Sequence, residues 1–228
     1  MSSDPAIVVA IDGPSASGKS TVSRRVAEAL GYTYVDSGAL YRGMTWKALR
    51  EGVDVRVPEA VVELMHRMKV EFFVANRVVG FTIDGEDPSD QLRSEPVREN
   101  VSDIAAIPEV RHFMVENLRT LAQFGPVVME GRDIGTVVFP TSSFKFYLDA
   151  DPEERARRRF HELAQKEGVG DVAQVMDSLA RRDHKDSTRK TAPLQIALGA
   201  RVINTTQMSI DEVVGRIVSE VRGAGVGV

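Results

Sequence analysis

Gly13, Pro14, Ser15, Ala16, Ser17, Gly18, Lys19 and Ser20 match the pattern GxxxxGK[ST] at every fixed position. That pattern serves one kind of chemistry. Backbone N–H groups of a glycine-permitted loop surround phosphate oxygens, the lysine adds a cation and the hydroxyl reaches a magnesium ion. Residues 13–21, Thr21 included, are therefore expected to hold a nucleoside triphosphate, with Ser20 on the metal. Two further motifs place arginines beside acids: Asp36-Ser37-Gly38-Ala39-Leu40-Tyr41-Arg42 and Glu130-Gly131-Arg132-Asp133-Ile134-Gly135. A lone Arg/Asp pair is commonly a surface ion pair of little energetic weight. Two such motifs at consecutive strand ends point instead to a second anion opposite the loop.

Two charge-rich stretches follow. Glu153-Glu154-Arg155-Ala156-Arg157-Arg158-Arg159 reads as a solvated helix face in which Glu154 and Arg158 have i,i+4 spacing. In residues 181–190 five Lys or Arg residues stand against two acids. In an acidic protein this imbalance suggests a lid that closes over phosphates. The segment His161-Glu162-Leu163-Ala164-Gln165 misses the zinc pattern HExxH, because Gln165 stands where the second histidine must be. His66, His112 and His184 have no motif around them. The guanine-reading Asn-Lys-x-Asp and the switch Asp-x-x-Gly are both missing, which disfavours a GTPase.

These residues need a scaffold, and the alternation of short apolar runs with helical patterns supplies one. Residues 7–11, 32–35, 126–130, 144–148 and 201–204 read as buried strands. Residues 20–30, 39–52, 110–124, 152–167, 172–183 and 210–222 read as helices. The expected fold is α/β, a parallel five-stranded sheet flanked by helices on both faces. In such open sheets ligands bind beyond the C-terminal strand ends, where the phosphate loop and both Arg/Asp motifs fall. Residues 69–74 and 78–83 break the rhythm as an inserted hairpin, followed by a solvated acidic turn at 84–88. The glycine-rich tail, 223–228, is expected to fray.

Composition closes off other classes. The 228 residues are 43% hydrophobic, enough for a sizeable core. A formal net charge of −4 disfavours bulk nucleic-acid binding, and zero cysteines exclude disulfides and thiolate zinc sites. With no signal-like N-terminus and no apolar run of about 18 residues, a cytoplasmic protein without a membrane partner is expected. The sparse apolar stripes suggest a monomer. On the residues alone, the acceptor stays open between UMP, AMP or shikimate-type kinases, and a nucleotide-binding regulatory module that transfers nothing is a further alternative.

The segments IDGPSASGKST, VDSGALYR, EGRDIGTVVFP and RRDHKDSTRKTAPL together resemble the bacterial cytidylate kinases of the nucleoside monophosphate kinase group, nearly end to end. The resemblance implies an adenylate-kinase-like P-loop NTPase fold and a single kinase domain. It also implies an inserted monophosphate-binding subdomain at 66–104 and a short lid at 155–190. It implies Mg2+-dependent transfer of the γ-phosphate of ATP to CMP or dCMP. By motif position, Arg42, Arg132 and Arg182 are implied as the acceptor-phosphate clamp. Ser102, Arg111 and Asp133 are implied as cytosine contacts, and Asp186 and Arg189 as ribose contacts. Ser37 is expected against the monophosphate, and Lys19, Arg132, Arg158 and Arg182 as the charges on the transferring group. Family members often carry Asp where Glu130 stands, and the lid has Lys185 and Ser187 where arginine occurs elsewhere.

Overall fold

The computed structural model describes residues 7–167 and 171–224. The described residues form seven strands and eight α-helices. They are β1 (Val8–Asp12), α1 (Lys19–Leu30), β2 (Thr33–Asp36), α2 (Ser37–Arg50), α3 (Pro58–Arg67), β3 (Val70–Ala75), β4 (Val78–Ile83), α4 (Glu95–Ile104), α5 (Pro108–Thr120), β5 (Val127–Gly131), β6 (Phe144–Asp149), α6 (Pro152–Glu167), α7 (Val172–Thr188), β7 (Arg201–Asn204) and α8 (Ile210–Gly223). A single π-type turn spans Ile134–Val138. Among the described residues no helix is long and apolar enough to cross a membrane.

The five expected strands run parallel to one another, in the order β2-β5-β1-β6-β7. The hairpin extends the sheet to seven strands, since β4 pairs with β2 at Tyr34↔Val78 and β3 runs antiparallel to β4. Alternation along β1 splits the core. Val9 and Ile11 face α1 and α8, packing with Val22, Val26, Phe146, Ile217 and Val221. Val8 and Ala10 face the cluster of Met44, Leu64, Ile104, Met114 and Leu118 from α2 to α5. Successive strand residues point to opposite faces, so both sides of the sheet are covered.

Three local features depart from the sequence expectation. Helix α3 occupies a stretch given no element, although Pro58 at its first turn and the buried Val61, Leu64 and Met65 carry a helical pattern. Helix α4 fills the end of the inserted region. Helix α7 runs on to Thr188, beyond the expected end at 183. Its extra turns lack an apolar stripe because Asp186 is buried toward the cleft in place of a hydrophobic residue. Residues 84–87 of the acidic turn are exposed as expected, whereas Pro88 is buried; Asp84 pairs with Lys47 at 2.6 Å. Of the tail, residues 225–228 lie outside the described residues.

Candidate active site

The phosphate loop leaves β1 through Gly13, whose φ of +147° suits glycine. A Cβ there would sit 2.1 Å from the Leu148 carbonyl oxygen. The loop ends at Gly18, left-handed at φ 91°, as the N-cap of α1. The N-terminal amides of α1 thus open towards the loop, where a helix favours anions. Lys19 is 5% exposed and donates to Pro14 O at 2.5 Å and Ser17 Oγ at 3.4 Å. Burial, then the charge of Arg132, pushes its ammonium down to about 7 against the pull of Glu130, Asp12 and Asp183.

On the neighbouring strand, Asp36 caps α2 by accepting from Ala39 N at 3.0 Å and holds Arg42 Nη2 at 2.7 Å. Ser37 Oγ donates to Glu130 O at 2.6 Å, joining the ends of β2 and β5. The Glu130 carboxylate is buried and accepts from the Tyr34 hydroxyl, and the nearby Ser20 favours its ionised form. Burial, followed by the Asp36 charge, raises its pKa.

Beyond β5, Arg132 is the junction. Its Nη2 donates to Ser15 Oγ in the phosphate loop at 2.8 Å, and its Nε donates to Asp186 Oδ2 on α7 at 2.9 Å. Burial acts to raise the Asp186 pKa, but Arg132, Arg189 and Arg182 outweigh it and hold the carboxyl below its ordinary range. Asp133 is 4% exposed and pairs with Arg111, itself 2% exposed, whose guanidinium also lies 5.4 Å from the Tyr41 ring centroid. Helix α6 adds Arg158, which donates to Glu154 Oε1 at 2.8 Å, Thr205 Oγ1 at 3.0 Å and Thr205 O at 2.7 Å. The Glu154–Arg158 pair is the one expected from spacing.

These groups line one cleft of about 720 Å³. Ser15, Ala16, Ser17, Gly18, Lys19, Ser20 and Thr21 form one end. Ser37, Arg42, Ser102, Arg111, Arg132, Asp133, Arg158, Arg182, Asp186 and Arg189 lie around the rest. Of the residues expected from the sequence, only Gly13 and Pro14 are not in the lining; they form the base of the loop. Arg93, Arg98 and Arg159 also line the cleft and were not expected. Arg159, one residue from Arg158 in the basic run of α6, had a signal in the sequence; Arg93 and Arg98 belong to no motif.

The cleft is short of acceptors for its cations. Arg42 Nε, Arg111 Nε, Arg182 Nε and Arg189 Nη2 are buried without a hydrogen-bond partner among the described residues. Burial and the nearby charge of Arg132, with smaller contributions from Arg159 and Arg42, lower the Arg182 pKa to about 10. Unsatisfied buried donors are costly. A bound dianion could supply acceptors to Arg42 and Arg182.

A family model described as cytidylate kinase matches residues 9–223. The cytidylate kinase of Caldanaerobacter subterraneus subsp. tengcongensis is 44% identical over 216 residues, covering 95% of each chain. That of Anoxybacillus flavithermus is 46% identical over 211 residues, covering 92% of this chain and 94% of the relative. A solved structure of an uncharacterised protein from Eubacterium ventriosum shares the fold at TM-score 0.50, with 13% identity and coverage of 95% and 98%. The match of the family model over residues 9–223, with relatives 44% and 46% identical over more than nine-tenths of the chain, shows that this chain belongs to the cytidylate kinase family.

Proposed function

We propose that the protein transfers the γ-phosphate of Mg-ATP to CMP or dCMP, with the triphosphate on the phosphate loop and the acceptor phosphate against Arg42, Arg132 and Arg182. The observation that carries this reading is Arg132, which touches Ser15 of the loop and Asp186 of the lid helix from the turn that bears Asp133. One guanidinium is thus within reach of both anions.

Two polyanions must approach until the acceptor oxygen lies in line with the γ-phosphorus. Their repulsion is offset by Lys19, the arginines and a divalent cation. Positioning and electrostatics carry such chemistry. Alignment of both reactants supplies about 7–11 kcal/mol of the barrier. The acceptor phosphate, with a second pKa of about 6, is largely ionised at neutral pH, so no side chain need remove a proton. No covalent enzyme intermediate is required. Arg158 and Arg182 are assigned to the charge of the transferring group, where arginine fingers are worth about 10³–10⁵ in rate.

The donor set suits magnesium. The exposed Ser20 hydroxyl and the adjacent Glu130 carboxylate are hard oxygen ligands. Among the described residues no group of three His, Cys, Asp or Glu forms a cage, so phosphate oxygens would complete the coordination. A magnesium ion held by Ser20 and Glu130 would supply charge neutralisation to the donor phosphates.

Base choice rests on the Arg111–Asp133 pair. A carboxylate accepts from the exocyclic amine of cytosine, whereas uracil offers an acceptor there and is repelled. Sites built on such a bond discriminate strongly, because the wrong base leaves buried polar groups unpaired. A coupled ADP-release assay with CMP, dCMP, UMP and AMP tests the function. Preferred turnover of the cytidylates is expected; failure to phosphorylate either one refutes the reading. Asp133→Ala, assayed below its unfolding midpoint, is expected to lower kcat/KM for CMP much more than for UMP. Equal loss for both bases would remove Asp133 from base recognition. Residues 155–190 are proposed as the lid and 66–104 as the monophosphate-binding subdomain.

A further inference from the structure

Four carboxylates are buried around the cleft: Asp12, Glu130, Asp133 and Asp186. The mechanism gives work to three of them. Asp12, the last residue of β1, is 3% exposed and is assigned neither to substrate nor to metal. Its two oxygens are both occupied: Oδ1 accepts from Ile134 N at 2.9 Å and Oδ2 from Gly135 N at 2.7 Å. Those amides begin the π-type turn, and the first amides of any helical turn have no partner within it. The turn's own bonds start later, with Val137 N and Val138 N donating to Asp133 O. A carboxylate from a strand more than a hundred residues earlier therefore fixes the start of this turn.

The residues immediately before the tethered amides are Arg132 and Asp133. Asp133 has φ −149° and ψ 24°, outside the regular helical and strand regions, so its direction depends on what holds the following residues. The residue immediately after Asp12 is Gly13, where the phosphate loop begins. A single side chain thus links the base of the donor loop to the turn that carries the clamp arginine and the base-reading acid. Burying a carboxylate is expensive unless its hydrogen bonds are made, and Asp12 makes one at each oxygen. The charged or titratable groups facing it are Lys19 from α1, Asp133 from the turn and Tyr147 from β6.

We propose that Asp12 is a positioning residue for phosphoryl transfer, holding the Arg132–Asp133 turn in register with the phosphate loop. This rests on the cytidylate reading, and the wild-type assay with CMP tests that reading separately. An active wild type with an indifferent Asp12 variant defeats this inference alone.

In Asp12→Asn, the amide oxygen keeps one acceptor while the NH2 group turns a donor towards an N–H. Loss of one well-made buried bond corresponds to about tenfold in affinity, so the KM for CMP should rise about tenfold and kcat should fall. Mg-ATP affinity by calorimetry should be nearly unchanged, because the amides at the start of α1 that face the donor phosphates do not belong to the tethered turn. A purely structural role would weaken both nucleotides alike, and that result, or no change in either, overturns the proposal. If the variant does not fold, the wild type still provides the test. In the wild type the Ile134 and Gly135 amides, which both donate to Asp12, should be protected together from hydrogen exchange. Free exchange of both amides overturns the tether.

Discussion

The two walls of the cleft are built by different means. The phosphate loop and the Arg132–Asp133 turn hang from the ends of β1 and β5, whose residues are all buried. Their geometry is set by backbone: the glycine conformations of the loop, the Asp12 tether and the Ser37 bond to Glu130 O. Among the described residues the opposite wall, α6 and α7, shares a cluster of three buried apolar residues, Ala156, Val175 and Leu179, with the partly buried Ala16, Phe160 and Leu163 packed against it. It is held to the body chiefly by charge. Arg155 donates to Ser15 O at 3.2 Å, Asp183 accepts from Ser15 N at 3.3 Å, Arg158 donates to Thr205, and Lys185 Nζ lies 2.6 Å from Asp103 Oδ1 on α4. Phosphate oxygens can compete for guanidinium groups but not for a strand ladder. The sheet wall is therefore preorganised, and the helical wall can exchange protein partners for substrate.

The largest effect belongs to the preorganised wall. Asp133→Ala leaves Arg111 buried at 2% exposure without its carboxylate. Removing one partner of a buried pair costs about 3–5 kcal/mol, which urea unfolding would register as a lowered midpoint. A loss near the 0–1 kcal/mol typical of exposed pairs would mean that this wall is as pliable as the other.

Next is Lys19. Lys19→Met should lower kcat by about 10²–10³, the cost of removing one charge-stabilising donor, while the thermal midpoint stays level or rises because a buried amine is gone. The sign of its pH dependence follows from its lowered pKa of about 7. The folded state binds fewer protons there than the unfolded chain, so relative to Lys19→Met the wild type should gain stability as pH rises from about 7 towards 10. Phosphates would restore the proton. Calorimetry of ATP binding at pH about 8 in buffers of different ionisation enthalpy should reveal uptake of up to about one proton, absent in Lys19→Met. No uptake in the wild type would mean that the loop holds its lysine charged in advance.

The same contrast governs what was legible in the sequence. The phosphate loop, with β1 before it and α1 after it, is a contiguous pattern whose reasons are local. Arg42, Arg132 and Asp133 stood at strand ends, where the α/β layout directs ligands. Pairing of β4 with β2 was not legible, because Tyr34↔Val78 is a long-range match that no local periodicity encodes. Helix α7 was cut short at 183 since its last turns carry Asp186 inward where an apolar residue would have signalled continuation. Arg93 and Arg98 reach the cleft by the placement of α4 and the segment before it, and nothing in their own neighbourhood marks them. The Asp12 tether was likewise invisible, since its partners are backbone amides, which have no identity in a sequence.

The smallest effect should come from an exposed link of the helical wall, Lys185 with Asp103. Lys185 and Asp103 have side chains 52% and 34% exposed, so Lys185→Ala should cost at most about 1 kcal/mol of stability. The pair does, however, join the proposed lid to the proposed monophosphate subdomain. Its loss should therefore act on the balance between open and closed clefts more than on folding, changing KM for CMP by about twofold or less and leaving the thermal midpoint within error. Added salt should reduce the difference between variant and wild type, because screening weakens an exposed pair in both its folding and its closing roles. A large, salt-insensitive loss of stability in Lys185→Ala would show that the helical wall is anchored as rigidly as the sheet wall, and the distinction between a fixed and an exchangeable side of the cleft would fail.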